Sequence, residues 1–281
     1  MPGTIRGMET RVTGWTELNE TLFADAWQEE LGLHRSDYAF RGCSDAARGL
    51  TSTLTRLGDE IETRERHLVR NFRKYAARDA VPVDSPWNWL ALGQHHGLPT
   101  RLLDWTFSPY VALHFATANL AHATHDAAVW MVDHVQAHRL LPDPLRGRVV
   151  EGEGAIVFTT ELLGDAVPDL PDLARFGEDF VLFVEPPSFD ERIVNQYALF
   201  SLTSRPDLSL DEWLEDHPKL WRKVVIPAEL KWEVRDKLDQ ANVTERVLFP
   251  GLDGLSAWLA RHYLPRRAET DMRSVPALRS D

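Results

Sequence analysis

Apolar positions along the chain alternate between helical and strand spacing. From Trp15, the residues Leu18, Leu22, Phe23, Ala26 and Leu31 recur at helical intervals, with Thr16 placed to cap the segment and Gly32 to end it. Residues 1–14 lack such a pattern and read as a frayed start. Residues 37–42 read as a short strand that turns at Gly42, and residues 51–54 as a polar loop. Over 59–77 the spacing predicts a long charged helix, with Ile61, Leu68, Phe72 and Tyr75 on its buried side. Its other positions mix Arg and Glu. That is the pattern of a solvated face with i,i+4 pairs, the alternative being a patch for nucleic acid or pyrophosphate.

Two helix starts use one device. Ser85-Pro86 and Ser108-Pro109 each put a capping hydroxyl before a proline at the first helical position. Trp87, Leu90, Ala91, Gln94 and His95 share a face of the first helix, which Gly97 ends and Pro99 keeps from resuming. Val111, Ala112, Phe115, Ala116 and Asn119 form the inner face of the second. Strands are predicted over 102–105, 127–133, 155–158, 181–185, 199–202 and 223–226. Further helices are predicted over 228–240 and from after Gly254 to Tyr263. Prolines and glycines make 138–180 a loop-rich excursion, and 265–281 reads as a disordered tail. No repeat and no linker divides the chain.

The length of 281 residues and 43% apolar content suffice for one large domain with a real core. No run of eighteen apolar residues and no leader-like start is present, so no membrane association is expected. The single cysteine, Cys43, excludes an internal disulfide and fits a cytoplasmic setting. A net charge of −12 argues against nucleic-acid binding driven by phosphate contacts, leaving room for a local patch.

The densest chemistry lies between Gln94 and Thr106, where one Gln, two His, an Arg and an Asp sit beside Leu102, Leu103 and Trp105. That mixture reads as a partly buried polar wall. Gly-rich phosphate loops, zinc-protease helices and Gly-x-Ser-x-Gly elbows are missing. Cys43 has no evident activating base, and of the histidines between His95 and His138 only His114 and His122 share a predicted helix, eight apart rather than at metal-ligand spacing, with the rest on other elements. Arg41, at a strand end before Gly42, either forks a phosphate or carboxylate, with the glycine admitting a ligand to the backbone, or pairs with a structural acid such as Asp104. Arg101 and Asp104 have the spacing of an internal ion pair. Gln196 is either a structural amide or a ligand contact.

Phe40-Arg41-Gly42, the 94–106 stretch and Ser108-Pro109-Tyr110-Val111-Ala112 together resemble the FRG domain, named for its Phe-Arg-Gly triplet. Arg192-Ile193 with Gln196 and Phe200, and the 248–255 stretch, extend the likeness over about 35–260. The resemblance implies a lead-in over 1–34, an FRG domain over 35–263 and a tail over 264–281. The order of motifs is similar to the Arg-Ser-Glu class of ADP-ribosyltransferases. This implies an α+β fold with a split mixed β-sheet flanked by helices, acting on NAD and a macromolecular acceptor, as a possible toxin or phage-defence effector. In that likeness Arg41 and Gly42 hold the pyrophosphate or nicotinamide ribose and Gln94 and His95 line the cleft. Arg101 and Asp104 fix its wall, and Thr106 and Ser108 touch the ribose. No Glu-x-Glu or Gln-x-Glu opens a strand after residue 180. Gln196 is the positional counterpart, with Glu191, Glu185 or Asp104 to supply the charge that an oxocarbenium-like transition state needs. The alternatives are a non-catalytic module for a nucleotide or peptide, and a metal-independent nuclease using His95 or His96.

Overall fold

The apolar run at 127–133 is long enough, and rich enough in β-branched and aromatic residues, to lie in the middle of a sheet covered on both faces. The computed structural model, which describes residues 8–77, 80–149 and 157–264, places it there. Its strands are β1 Met8–Arg11, β2 Trp27–Gln28, β3 Leu33–His34, β4 Tyr38–Cys43, β5 Leu103–Thr106, β6 Ala127–Asp133, β7 Phe158–Thr159, β8 Val181–Glu185, β9 Ala198–Thr203 and β10 Trp221–Ile226. Eight of them form one mixed sheet in the order β1-β10-β6-β4-β5-β9-β8-β7, and β2 and β3 form a separate hairpin. The outer pairs β1–β10 and β7–β8 are parallel and the pairs between them antiparallel. Helices α1 Trp15–Leu22, α2 Ile61–Tyr75, α3 Pro86–His95 and α4 Pro109–Thr117 cover it together with shorter and C-terminal helices, giving an α+β fold.

Alternation along the central strands sorts residues to the two faces. Phe40, Val129 and Met131 pack with Leu18 and Leu22 of α1, Ala112 and Ala116 of α4, and Val234 and Leu238 of the helix Lys231–Gln240. Their sequence neighbours Ala39, Trp130 and Val132 pack on the opposite side with Trp213 and Leu214. A third cluster joins α3 to β8, β9 and the helix Thr160–Ala166.

Several expectations change. Met8–Arg11 is an edge strand of the main sheet, paired with Arg222–Val225, rather than a frayed start. Residues 1–7, and the tail at 265–281, lie outside the described residues. Helix α1 ends at Leu22, well before Gly32, and Gly14, not Thr16, holds the cap position, without a side-chain bond. Asp25 takes a positive φ of 58° and the chain returns as the β2–β3 hairpin, with Gly32 at φ 63° in its turn. In α2 the buried residues are Glu65 and Val69, while Tyr75 is exposed. Glu65 goes inward because a buried partner, Arg101, meets it. Among its described residues the 138–180 region holds the short helices Asp143–Val149, Thr160–Ala166 and Leu170–Phe176. The strand expected over 155–158 falls partly outside the described residues, and Phe158–Thr159 is what is described of it.

A buried ionic cluster ties α4 to the C-terminal helices. Arg235 donates to His114 Nδ1 at 2.9 Å and to Glu245 at 2.6 Å, and Arg261 bridges Glu245 and Asp239 at 2.7 and 2.6 Å. Burial, reinforced by Arg235, pushes His114 down to about 3, and burial pushes His134 down to about 4. Burial opposes ionisation of Glu245, but Arg261 and Arg235 outweigh it and hold the carboxyl at about 2. Both histidines are therefore neutral when folded but take a proton below about pH 6.5 when unfolded, so the unfolded chain binds more protons and stability falls on acidification. Glu245 adds to the loss below about pH 4.5. Between neutral pH and about pH 5 each histidine should remove about 2 kcal/mol. Urea unfolding at the two pH values measures this, and an unchanged midpoint would contradict it.

Candidate functional site

Strands β4 and β6 pair along six positions, but β4 and β5 pair at one, Phe40 with Thr106. Beyond that position the strands part, and a cleft of about 1270 Å³ opens between them. The end of β4 and the loop after it form one bank. The end of α3, β5 and the turn after the helix Glu191–Asn195 form the other. Arg41, Arg48, Arg56 and Arg192 line it against two carboxylates, Asp104 and Asp253. The cleft is thus locally cationic in a chain of net charge −12.

Capping places the far bank. Ser85 accepts from the Asn88 amide to start α3, and Gly97, at φ 81°, lets it end. Gln94 in the last turn accepts from the Thr100 hydroxyl at 2.6 Å, which fixes its amide. The Gln94 NH2 then donates to both Asp104 oxygens, at 3.0 and 2.9 Å. Across the gap, Arg41 donates to the Asp104 carbonyl oxygen and lies 3.8 Å from its carboxylate. Arg41 Nε is shielded from solvent and has no partner among the described residues. A shielded donor without a partner is costly, a cost that a shift of the Arg41 side chain toward a ligand acceptor would relieve.

Further polar contacts shape the remaining wall. His95 Nε2 lies 2.7 Å from Asp190, whose other oxygen accepts from the Ile193 amide and caps the short helix. Burial opposes ionisation of Asp190, yet the Ile193 amide and His95 hold its carboxyl below the ordinary range. The Arg192 guanidinium lies over the Phe249 ring at 5.0 Å, and its Nε is also without a partner among the described residues. Thr106 donates to the Gln196 carbonyl oxygen at 2.7 Å, and the Gln196 side-chain amide donates to the Leu248 carbonyl oxygen at 2.9 Å.

The expected site residues Arg41, Gly42, Gln94, His95, Asp104, Thr106 and Gln196 therefore meet at one cleft. Four do not line it. Arg101 is buried against Glu65, with further bonds to the Thr203 and Ser204 carbonyl oxygens, and the partners of Asp104 are Gln94 and Arg41 instead. Ser108 spends its hydroxyl capping α4 through the Val111 amide. Glu191 is exposed at the first position of its helix, and Glu185 ends β8 away from the lining. Gly42 lines the cleft, but its lack of a side chain serves packing: a Cβ there would stand 1.9 Å from the Ala112 carbonyl oxygen of α4. Burial pushes the Cys43 thiol up, so it is not an activated nucleophile. Among the described residues no group of three or more His, Cys, Asp or Glu is arranged to hold a metal. Arg48 and Arg56 were beyond sequence reasoning, because they lie in segments without a motif. Arg192 and Asp253 fall in stretches that carry the resemblance, which was the signal available.

Two stability effects follow. Arg101→Ala should cost about 3–5 kcal/mol by leaving Glu65 buried and unpaired, without weakening binding at the cleft. Gly42→Ala should cost roughly 3 kcal/mol by overpacking against α4. Denaturant titration of each variant measures both, and near-native stability would contradict these assignments.

Residues 36–125 match the family described as FRG domain. No curated protein and no solved structure matches the chain. No helix among the described residues is long and apolar enough to cross a membrane. The matched segment holds Arg41, Gln94, His95, Asp104 and Thr106, and so contains both banks at the point where β4 and β5 part. Residues 36–125 are thus similar to the FRG domain.

Proposed function

We propose that the cleft binds NAD and that the protein transfers its ADP-ribosyl group to a macromolecular acceptor, with hydrolysis of NAD as a side reaction. The observation that carries this reading is the pairing across the gap: Arg41, with a shielded and unpartnered Nε, faces Asp104, whose carboxylate Gln94 holds in place. The four arginines suit the pyrophosphate, which a guanidinium fork binds through two parallel bonds. As the bond from C1′ to nicotinamide breaks, its electron pair leaves with the nicotinamide, which becomes neutral, and positive charge develops on the ribose. Asp104 is the carboxylate placed to offset that charge, in the role for which Glu191 is too far out on the surface. Gln196 offers its amide oxygen to a ribose hydroxyl.

A second reading is a nucleotide-binding module without turnover. It is favoured by one fact: no glutamate stands among the described residues lining the cleft.

Release of nicotinamide from NAD, with and without a cell lysate as acceptor source, separates the two readings. Under the first, Asp104→Asn should lower release by about 10²-fold or more while NAD still shifts the melting temperature. Arg41→Ala should weaken NAD binding about tenfold or more, the loss of a charge-assisted bond. Binding without release supports the module. No thermal shift with NAD sinks both readings of the cleft as an NAD site.

A further inference from the structure

At the edge of the cleft a serine and an imidazole are held together by three separate elements. Ser44, next after β4, lines the cleft, and its Oγ lies 2.8 Å from Nδ1 of His122, in the turn that follows α4. Which of the two donates can be read from a neighbour. Asn119 accepts at Oδ1 from the Ala121 amide at 3.0 Å, so the nitrogen of its side chain is the atom turned toward His122 Nδ1, 3.4 Å away. An amide NH2 only donates, so His122 Nδ1 carries a lone pair and the Ser44 hydroxyl donates to it. Buried Lys231 donates to the carbonyl oxygens of both Ser44 and His122, at 2.8 and 2.7 Å, and locks the two backbones together. The charged and titratable groups around His122 are Arg48, His125, Asp45 and Lys231. Burial, aided by Arg48 and His125, lowers its pKa below 6.5. A hydroxyl bonded to the free nitrogen of a neutral, oriented imidazole is an activated nucleophile.

Resting on the NAD reading of the cleft, we propose that Ser44 is an acceptor of ADP-ribose, so that the protein modifies its own Ser44 hydroxyl with His122 as general base. Ser44 Oγ bonds to C1′ of the nicotinamide ribose, and the bond from C1′ to nicotinamide breaks. Nicotinamide leaves with that electron pair, and the hydroxyl proton passes to His122 Nδ1 and on to water. His122 stands outside the cleft lining, so the proton leaves on the side away from the dinucleotide.

The full chain incubated with NAD tests this by two readouts, nicotinamide release and mass-spectrometric mapping of the modified peptide. The expected result is one ADP-ribosyl group on Ser44, absent in Ser44→Ala. His122→Gln should slow formation of that adduct by about 10²-fold while nicotinamide release continues. In the wild type, modification of Ser44 should fall as the pH drops through the depressed value of His122, a readout that requires no variant to fold. Nicotinamide release without an adduct on Ser44 overturns this proposal and leaves the NAD reading standing. So does an adduct formed at the same rate in a folded His122→Gln protein. No nicotinamide release and no adduct overturns the NAD reading and the proposal with it.

Discussion

The structure depends on an interruption in its own hydrogen-bond ladder. A sheet interior normally satisfies every backbone N–H and C=O through its neighbours. Between β4 and β5 that pairing is confined to Phe40 and Thr106, so the groups next to it must find partners elsewhere. On the β4 side the Asp104 carbonyl oxygen takes the Arg41 guanidinium, while on the β9 side the Phe107 amide and the Thr106 hydroxyl donate to the carbonyl oxygens of Tyr197 and Gln196. The polar side chains at the cleft are therefore part of what keeps the parted sheet stable. Recognition chemistry and backbone satisfaction use the same atoms.

Pre-organisation follows from that double duty. Thr100 fixes Gln94, Gln94 fixes Asp104, and Arg41 reaches both the backbone and the carboxylate of the same residue. A ligand meeting this wall does not have to order it first, which lowers the entropic cost of binding. Behind the far bank, the buried Arg101–Glu65 pair joins α2 to the loop that leads into β5. That pair supports the wall without touching its contents.

Local signals were legible and distant pairings were not. Both Ser-Pro helix starts, the Gly97 stop, the β6 run and the concentration of site residues over 94–106 could be read from the chain, because each is governed by neighbours a few residues away. Arg101 looked like a partner for Asp104 at short range, whereas its acid, Glu65, lies 36 residues earlier on a helix whose charges all read as solvated. β1 was invisible because its partner, β10, is more than two hundred residues away and its four residues carry no periodicity of their own. Gly42 was read as room for a ligand. Its cause, the approach of α4, exists only in three dimensions.

That contact between Gly42 and Ala112 has a mechanical consequence. With no side chain between them, β4 and α4 touch backbone to backbone, and an interface without rotatable groups cannot yield by changing rotamers. The strand that carries Arg41 therefore packs tightly on α4, which His114 joins to Arg235 and Glu245, and Arg261 joins Glu245 to the helix Leu252–His262, whose first turn brings Asp253 back to the cleft. The near bank and the C-terminal helices are thus joined around the opening by close backbone packing and a buried ionic cluster, while the far bank is held by the β5–β9 ladder.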